Sequence, residues 1–408
     1  MTTTTPRPLW QGRTAAVIGI VLLALNLRTA VAVLAPIISF VSDDIPLDSV
    51  GIGLLGMLAP LAFAASGFIA PLVARRIGLE FTLVLACTAM VVGPVVRAAA
   101  FSYPVLVAGS VLTMAGMGFA NIMLPPVIKR YFPDRVALLT GVYVTLMSIS
   151  ASVPPLIAAP VAASVGWRAA LGVWAVLAVG ALVPWLVVLL QHRGRARQSA
   201  TEGTVETPAP GLLGRMHRSS VARALALCFA VTALNVYAMF SWLPEIVIDI
   251  AGASPDQAGA LLALFGIVGL PLGLLAPILA ERVRNVGWIM LGAVGCYVAG
   301  YLGLLLAPSA ATWLWVLLIG AGPVVFPLSL VLINLRTRSH EGSIALSGFV
   351  QGIAYAAGAL GPLILGLLHD LTGDWTVPLA FLLATTLLTL ISAVALARPR
   401  VVEDELGA

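Results

Sequence analysis

The stretch LALNLRTAVAVLAP, residues 23–36, sets an arginine inside an apolar run long enough to cross a bilayer. An Arg at the centre of a membrane helix costs about 2.5–3.5 kcal/mol on translocon-derived scales, so Arg28 needs a compensating interaction. The inner parts of the apolar runs hold almost no acid. Glu80 and Glu281 fall at span ends, and Glu245 follows Pro244 toward the other end of the seventh span, with Asp249 further out. A water-filled cavity with a transient anionic ligand supplies the missing charge. Guanidinium suits that task because it is always charged and donates two parallel hydrogen bonds. The competing reading is a structural Arg bonded to backbone carbonyls of neighbouring helices. Asn26 sits about 200° round the helix from Arg28, so it is predicted to make a helix-packing hydrogen bond.

Other polar and aromatic residues at helical spacing extend the candidate site. Asn121 lies in the fourth span, just before Pro125 and Pro126, where a helix break shapes a cavity. Tyr143 shares a face of the fifth span with Met147. On the seventh span Asn235, Met239 and Trp242 follow i, i+4, i+7, beside a Tyr237–Ser241 stripe. On the eleventh, Gln351 and Tyr355 are one turn apart, with Gly348, Gly352 and Gly358 permitting close helix approach. An Arg from one half of the chain with neutral donors and rings from the other suits a small, flat or linear monoanion. Glu245 is the candidate for proton coupling, since a titrating group inside a span is the usual device. His369–Asp370 reads as an exposed pair at a span end. Arg97 and Arg168 are expected at the membrane interface, on lipid phosphate or a loop Asp.

The elements that must position these residues are membrane helices. The 408 residues are 60% hydrophobic and 10% charged, against about 25% charged in soluble domains. Windows of about 20 apolar residues predict twelve spans: 14–41, 49–74, 80–100, 104–128, 136–162, 168–190, 222–248, 257–281, 286–307, 311–335, 344–368 and 376–397. The first run is longer than a signal-peptide core and reads as an uncleaved first helix. The three cysteines, Cys87, Cys228 and Cys296, all fall inside spans and define no disulfide framework or metal spacing. The net charge of +5 is a matter of topology rather than of nucleic-acid binding. With the N-terminus inside, Arg7, Arg13, Arg75, Arg76, Lys129, Arg130, Arg135, the run from Arg193 to Arg223, Arg282, Arg284, Arg336, Arg338, Arg398 and Arg400 all lie on the cytoplasmic side. Asp43, Asp44, Asp48, Asp256, Asp370 and Asp374 then lie in outward loops, as the positive-inside rule requires. Both termini are expected in the cytoplasm.

The polar stretch 192–220 divides the spans six and six, and reads as a cytoplasmic linker between residues 1–191 and 221–408, the latter ending in a short cytoplasmic tail. GFIAPLVARR (67–76) aligns with GLLAPILAER (273–282), and Pro36–Gly51 has the spacing of Pro244–Gly259. Paired six-helix halves are the architecture of a carrier that alternates around a central site. The chain lacks a nucleotide-binding Gly–Lys–Ser/Thr loop, a metal cluster and a Ser/His/Asp set at one depth. No enzyme activity and no cofactor are expected, gradients are the expected energy source, and one cavity per chain makes a monomer sufficient.

The short basic loop after the second span resembles the gating motif of the major facilitator superfamily, an acid preceding Arg and Gly. Glu281–Arg282 keeps the acid; Arg75–Arg76 has an arginine in its place. Asn26–Leu27–Arg28, FANIMLPPVIKRYFPDR (119–135), GWRAALGVWA (166–175), SWLP (241–244), GLPLGLLAP (269–277), SGFVQGIAY (347–355) and GPLILGLLHDLTG (361–373) resemble the cyanate porter family, which includes nitroimidazole transporters. The resemblance implies an all-α major facilitator fold in a bacterial cytoplasmic membrane, with Gln351 and Tyr355 on a cavity-lining helix. It implies carriage of a small anion or a small nitrogen heterocycle, and the reading of Arg28 as an anion ligand favours an anion such as cyanate. The alternative is export of small heterocyclic or drug-like compounds, with Arg28 structural.

Overall fold

The computed structural model describes residues 13–195, 214–283, 285–338 and 340–406. Every regular element among them is helical, and twelve are long and apolar enough to span a membrane. They are α1 Thr14–Ala32, α2 Ser49–Ala74, α3 Leu79–Ala98, α4 Tyr103–Ile128, α5 Leu138–Val165, α6 Trp167–Gln191, α7 Ser220–Ala251, α8 Pro255–Ala280, α9 Gly287–Leu306, α10 Thr312–Leu335, α11 Ala345–Thr372 and α12 Thr376–Leu396. A short helix, α13, follows at Val402–Leu406. Helices are the expected solution because hydrocarbon offers the backbone no hydrogen-bond partner. The chain separates into two compact units, Met1–Pro46 with Ala62–Glu206 and Leu47–Leu61 with Thr207–Ala408. Most of the expected linker, 196–213, lies outside the described residues.

In the first unit α1 is not the single run expected over 14–41. Its helix stops at Ala24, resumes over Thr29–Ala32, and bends again before a 3₁₀ turn at Ala35–Ile37. The cause of the first break is local. Asn26 Nδ2 donates to Leu22 O at 2.7 Å, the carbonyl that Asn26 N–H would take in an α-helix. The backbone N–H groups of Asn26 and Leu27 turn instead to Leu23 and Ala24, at 3.0 and 3.3 Å. Thr29 Oγ1 donates to the freed Asn26 carbonyl at 3.1 Å. Asn26 Nδ2 also reaches Leu177 O on α6, the interhelical bond predicted for it. The second bend precedes Pro36, which has no N–H for the Ala32 carbonyl.

Small residues bring α3 and α4 together: a Cβ on Gly93 would meet Thr113 N at 2.7 Å and Gly109 O at 2.9 Å. This close packing carries Arg97 inside. Arg97 is 1% exposed, not at the interface as its position near a span end predicts. Its Nη1 donates to Ala30 O at 3.3 Å, while Nε and Nη2 are buried without partners. Arg168 does meet a loop acid, Asp44, which also accepts from Trp167 Nε1 at 2.9 Å. The two donors hold the exposed Asp44 carboxyl below the usual carboxylate range.

In the second unit α7 and α11 form the most extensive helix pair. Gly361 faces Leu234 O at 2.5 Å from a built Cβ, Gly366 faces Trp242 Cζ2 at 2.8 Å, and Gly358 faces Tyr237 Cδ2 at 2.9 Å. Gly352, expected to serve the same purpose, faces open space. The beginning of α2 joins this unit, with Gly53 against Pro362 O at 2.9 Å. The C-terminal segment is not a free tail. Arg336 caps the end of α12 through Leu396 O and Arg398 O, both at 3.0 Å. Glu405 of α13 accepts from Ser219 Oγ at 2.6 Å and from the backbone N–H groups of Ser220 and Val221 at 2.7 and 3.3 Å. A carboxylate there satisfies orphan donors and complements the helix dipole of α7.

Two outcomes test these packing assignments. Burial raises the Glu405 carboxyl, but the Ser219 and Ser220 hydroxyls and the α7 N–H groups outweigh it and leave the native value below the ordinary one. That stabilisation is present above the unfolded value of about 4.3 and is lost as pH falls through the lower native value. Glu405→Gln therefore lowers the thermal midpoint in detergent at pH 7, with the gap to wild type closing below about pH 4. Arg97→Met keeps the aliphatic stem and removes a buried charge that has a single hydrogen bond. Its thermal midpoint is expected to equal or exceed that of wild type; a fall of several degrees would show that the guanidinium has a partner in solution.

Candidate substrate site

The break in α1 decides how Arg28 is presented. Arg28 precedes the Thr29–Ala32 turn with φ −131° and ψ −4°, outside the helical region. Its guanidinium carbon lies 4.7 Å from the centroid of the Phe63 ring, itself 2% exposed. A cation over an aromatic face gains about 0.5–2 kcal/mol, more when desolvated. Nη1 is buried and makes no hydrogen bond among the described residues. The described acids of this unit are engaged elsewhere or lie on a loop. Asp44 pairs with Arg168, Asp134 with Arg13 and Glu80 with Arg130, while Asp43 is exposed beyond the Ile38–Ser42 helix. The result is a cation fixed by a ring on one side, with a buried donor left open. A guanidinium edge with an open donor is chemically suited to a flat or linear acceptor.

The Thr29–Ala32 turn packs against α4 and α5, the helices that carry the half-buried Asn121 and Tyr143. The structure thus assembles Arg28 with Phe63 and sets the turn beside the two helices of the other N-terminal candidates. Phe63 was not among the sequence candidates, because a phenylalanine in an apolar helix carries no local mark of its partner.

The second unit separates its candidates. Asn235 is 1% exposed, with every polar atom used: Nδ2 donates to Val231 O at 2.9 Å and Thr385 Oγ1 at 3.1 Å, and Oδ1 accepts from Tyr301 at 2.7 Å. Trp242 is fully buried and donates Nε1 to Pro362 O at 2.8 Å. Both residues tie helices together in this conformation. Tyr237 and Tyr355 are each 8% exposed, Tyr237 lying against Gly358. Gln351 Nε2 donates to Ser347 Oγ at 2.6 Å, which leaves its carbonyl oxygen as an acceptor. Glu245 is half-buried, and its Oε2 makes no hydrogen bond. Of the gating-loop candidates Arg76 and Arg282 are exposed, whereas the side chains of Arg75 and Glu281 lie outside the described residues.

Known proteins share this architecture. The sequence pattern of the Major Facilitator Superfamily matches residues 18–346. The 2-nitroimidazole transporter of Escherichia coli is 32% identical over 386 residues, covering 94% of this chain and 95% of the relative. An uncharacterised transporter of Bacillus subtilis, YycB, is 30% identical over 371 residues, with 90% and 89% covered. The E. coli cyanate transport protein CynX is 24% identical over 371 residues, with 89% and 92% covered. Among solved structures, the D-xylose–proton symporter superposes with a TM-score of 0.72 at 14% identity, over 96% of this chain and 99% of the other. A bacterial homologue of the lysosomal transporter Spinster, inward-facing and unoccupied, gives 0.71 at 15%, over 94% and 95%. A match of the family pattern to most of the chain, with relatives aligned along nearly their whole length, leaves one conclusion: the chain is a multi-pass membrane transporter of the Major Facilitator Superfamily, related to the cyanate and 2-nitroimidazole transporters.

Proposed function

We propose that this transporter moves a small monoanion of the cyanate type by alternating access, as a secondary active or facilitated carrier working as a monomer, with Arg28 as the anion ligand. The observation that carries the reading is the buried, unbonded Nη1 of Arg28 on the interrupted helix α1. A structural Arg would spend its donors on the carbonyls that the break frees. Here Thr29 Oγ1 takes the Asn26 carbonyl and Asn26 Nδ2 takes that of Leu22. A linear anion would accept from the Arg28 edge while Phe63 holds the guanidinium plane. Asn121 and Tyr143 are the neutral donors proposed from this unit; Tyr237, Gln351 and Tyr355 are those proposed from the other. The distribution of basic residues supports an orientation with both termini in the cytoplasm.

A second reading has a specific observation in its favour. The relative named for 2-nitroimidazole is more similar, at 32%, than the one named for cyanate, at 24%. A nitro group also presents two coplanar acceptor oxygens to a guanidinium, so the same Arg28–Phe63 pair would bind a neutral nitro heterocycle through hydrogen bonds and stacking.

Counterflow of labelled cyanate in proteoliposomes, with labelled 2-nitroimidazole in parallel, separates the two. Wild type is expected to exchange cyanate, and Arg28→Gln to lose at least tenfold in rate, about 1.4 kcal/mol, with an unchanged thermal midpoint. Arg28→Lys keeps the charge but not the planar fork and is expected to fall between them. Exchange of nitroimidazole alone would establish the second reading. Cyanate exchange indifferent to Arg28 would remove the residue from the site.

A further inference from the structure

The ends of α7 and α11 in the second unit bring together groups that the proposed anion site does not use. Glu245 and Asp249 are one turn apart on α7, and His369 comes from α11, 120 positions further along the chain than Asp249. One ligand atom from each of the three lies within 4.8 Å of the other two. We propose that Glu245, Asp249 and His369 form a binding site for one divalent transition-metal ion of the zinc class.

Three observations converge on it besides the clustering. First, His369 Nδ1 is 3.2 Å from the backbone carbonyl of Asp374, and the ring stacks on Trp375 with centroids 4.0 Å apart. A histidine that donates one ring N–H to a carbonyl presents the other nitrogen as a lone-pair donor, the arrangement typical of metal-bound imidazole. Second, Asp249 Oδ2 accepts from Trp375 Nε1 at 2.8 Å, which orients the carboxylate and leaves Oδ1 to bind. Trp375 is 2% exposed and packs on Trp242 at 5.5 Å, so one rigid indole steadies two of the three ligands. Third, Glu245 Oε2 is buried and has no hydrogen-bond partner. A buried carboxylate oxygen without a donor is costly, and a cation removes that cost.

The charge of the surroundings agrees. Asp370 stands within electrostatic reach of Glu245 and adds a further negative group. Two ligand atoms about 2.1 Å from a tetrahedral ion lie about 3.4 Å apart, so separations of up to 4.8 Å close by up to about 1.4 Å on binding. Asp249 is exposed, and rotation of its carboxylate about the Trp375 hydrogen bond makes that adjustment. One imidazole with two carboxylates selects zinc or a neighbouring first-row ion over calcium or magnesium, which prefer all-oxygen shells. Three protein ligands leave the ion an open position for water or a small ligand. A bound ion would join α7, α11 and the loop before α12 into one body. The proposal stands apart from the identity of the transported substrate.

Titration of Zn²⁺ into the purified full chain in detergent, followed by calorimetry, tests it. One ion per chain is expected, with Ca²⁺ and Mg²⁺ unable to compete. His369→Gln and Glu245→Gln are each expected to weaken binding at least tenfold, and His217→Gln to leave it unchanged. Trp375→Phe keeps the ring and removes the N–H that orients Asp249, so a loss of about 10- to 100-fold is expected there without loss of stoichiometry. Thermal midpoints without metal confirm that each variant is folded. Should His369→Gln misfold, Asp249→Asn at the exposed ligand gives the same readout. Absence of binding in wild type, or equal affinity in wild type and the ligand variants, would overturn the proposal.

Discussion

A single side-chain hydrogen bond shapes the first unit. By taking the Leu22 carbonyl, Asn26 interrupts α1 where a guanidinium follows two residues later. In a continuous helix Arg28 would be one more residue on a rotating face. At a break its side chain leaves the helix surface and settles over Phe63. The freed backbone groups do not need Arg28, because Thr29 and the tightened turn satisfy them locally. What is left is a cation with an aromatic floor and no ion-pair partner among the described residues.

Arg97 adds to the same imbalance. Arg28 sits at the break of α1 and Arg97 donates to Ala30 O just beyond it, and neither forms an ion pair with a described acid. In a medium of low dielectric an unneutralised charge is felt over several ångströms. The second unit is built differently. Neutral polar groups bond to one another across its helices in the Tyr301–Asn235–Thr385 network, which joins α9, α7 and α12. Among the described residues its buried charges, Arg336 and Glu403, lie at the end of α10 and on α13.

The family and the substrate rest on different kinds of observation. A family pattern over residues 18–346 and relatives aligned along their length carry the fold and the role of transporter. Relatives named for cyanate and for 2-nitroimidazole differ in the charge of what their names describe. Arg28 with Phe63 is compatible with both, since nitro oxygens and a linear anion accept from the same guanidinium edge. Charge, rather than shape, is the property that divides them.

Hydropathy by itself determined the twelve spans, and their ends agree with the structure within a few residues, apart from the early interruption of α1 and the longer reach of α11. Transfer free energy adds up residue by residue along the chain, so a local window suffices. The same locality made Arg28 stand out as costly, and made Asn26 a packing residue. Tertiary structure alone decided the rest. Phe63 is indistinguishable from its apolar neighbours until α1 folds onto it. Arg97 looks like an interfacial residue until the Gly93–Gly109 contact draws α3 and α4 together around it. Asn235 and Trp242 follow a helical stripe that predicts a ligand face, yet Tyr301 and Pro362, far off in sequence, take up their polar atoms. Glu245, Asp249 and His369 show no metal spacing along the chain and meet only where two helices pack. A hydrogen bond or a ligand shell depends on pairs of distant residues, and no one-dimensional window contains both members of such a pair.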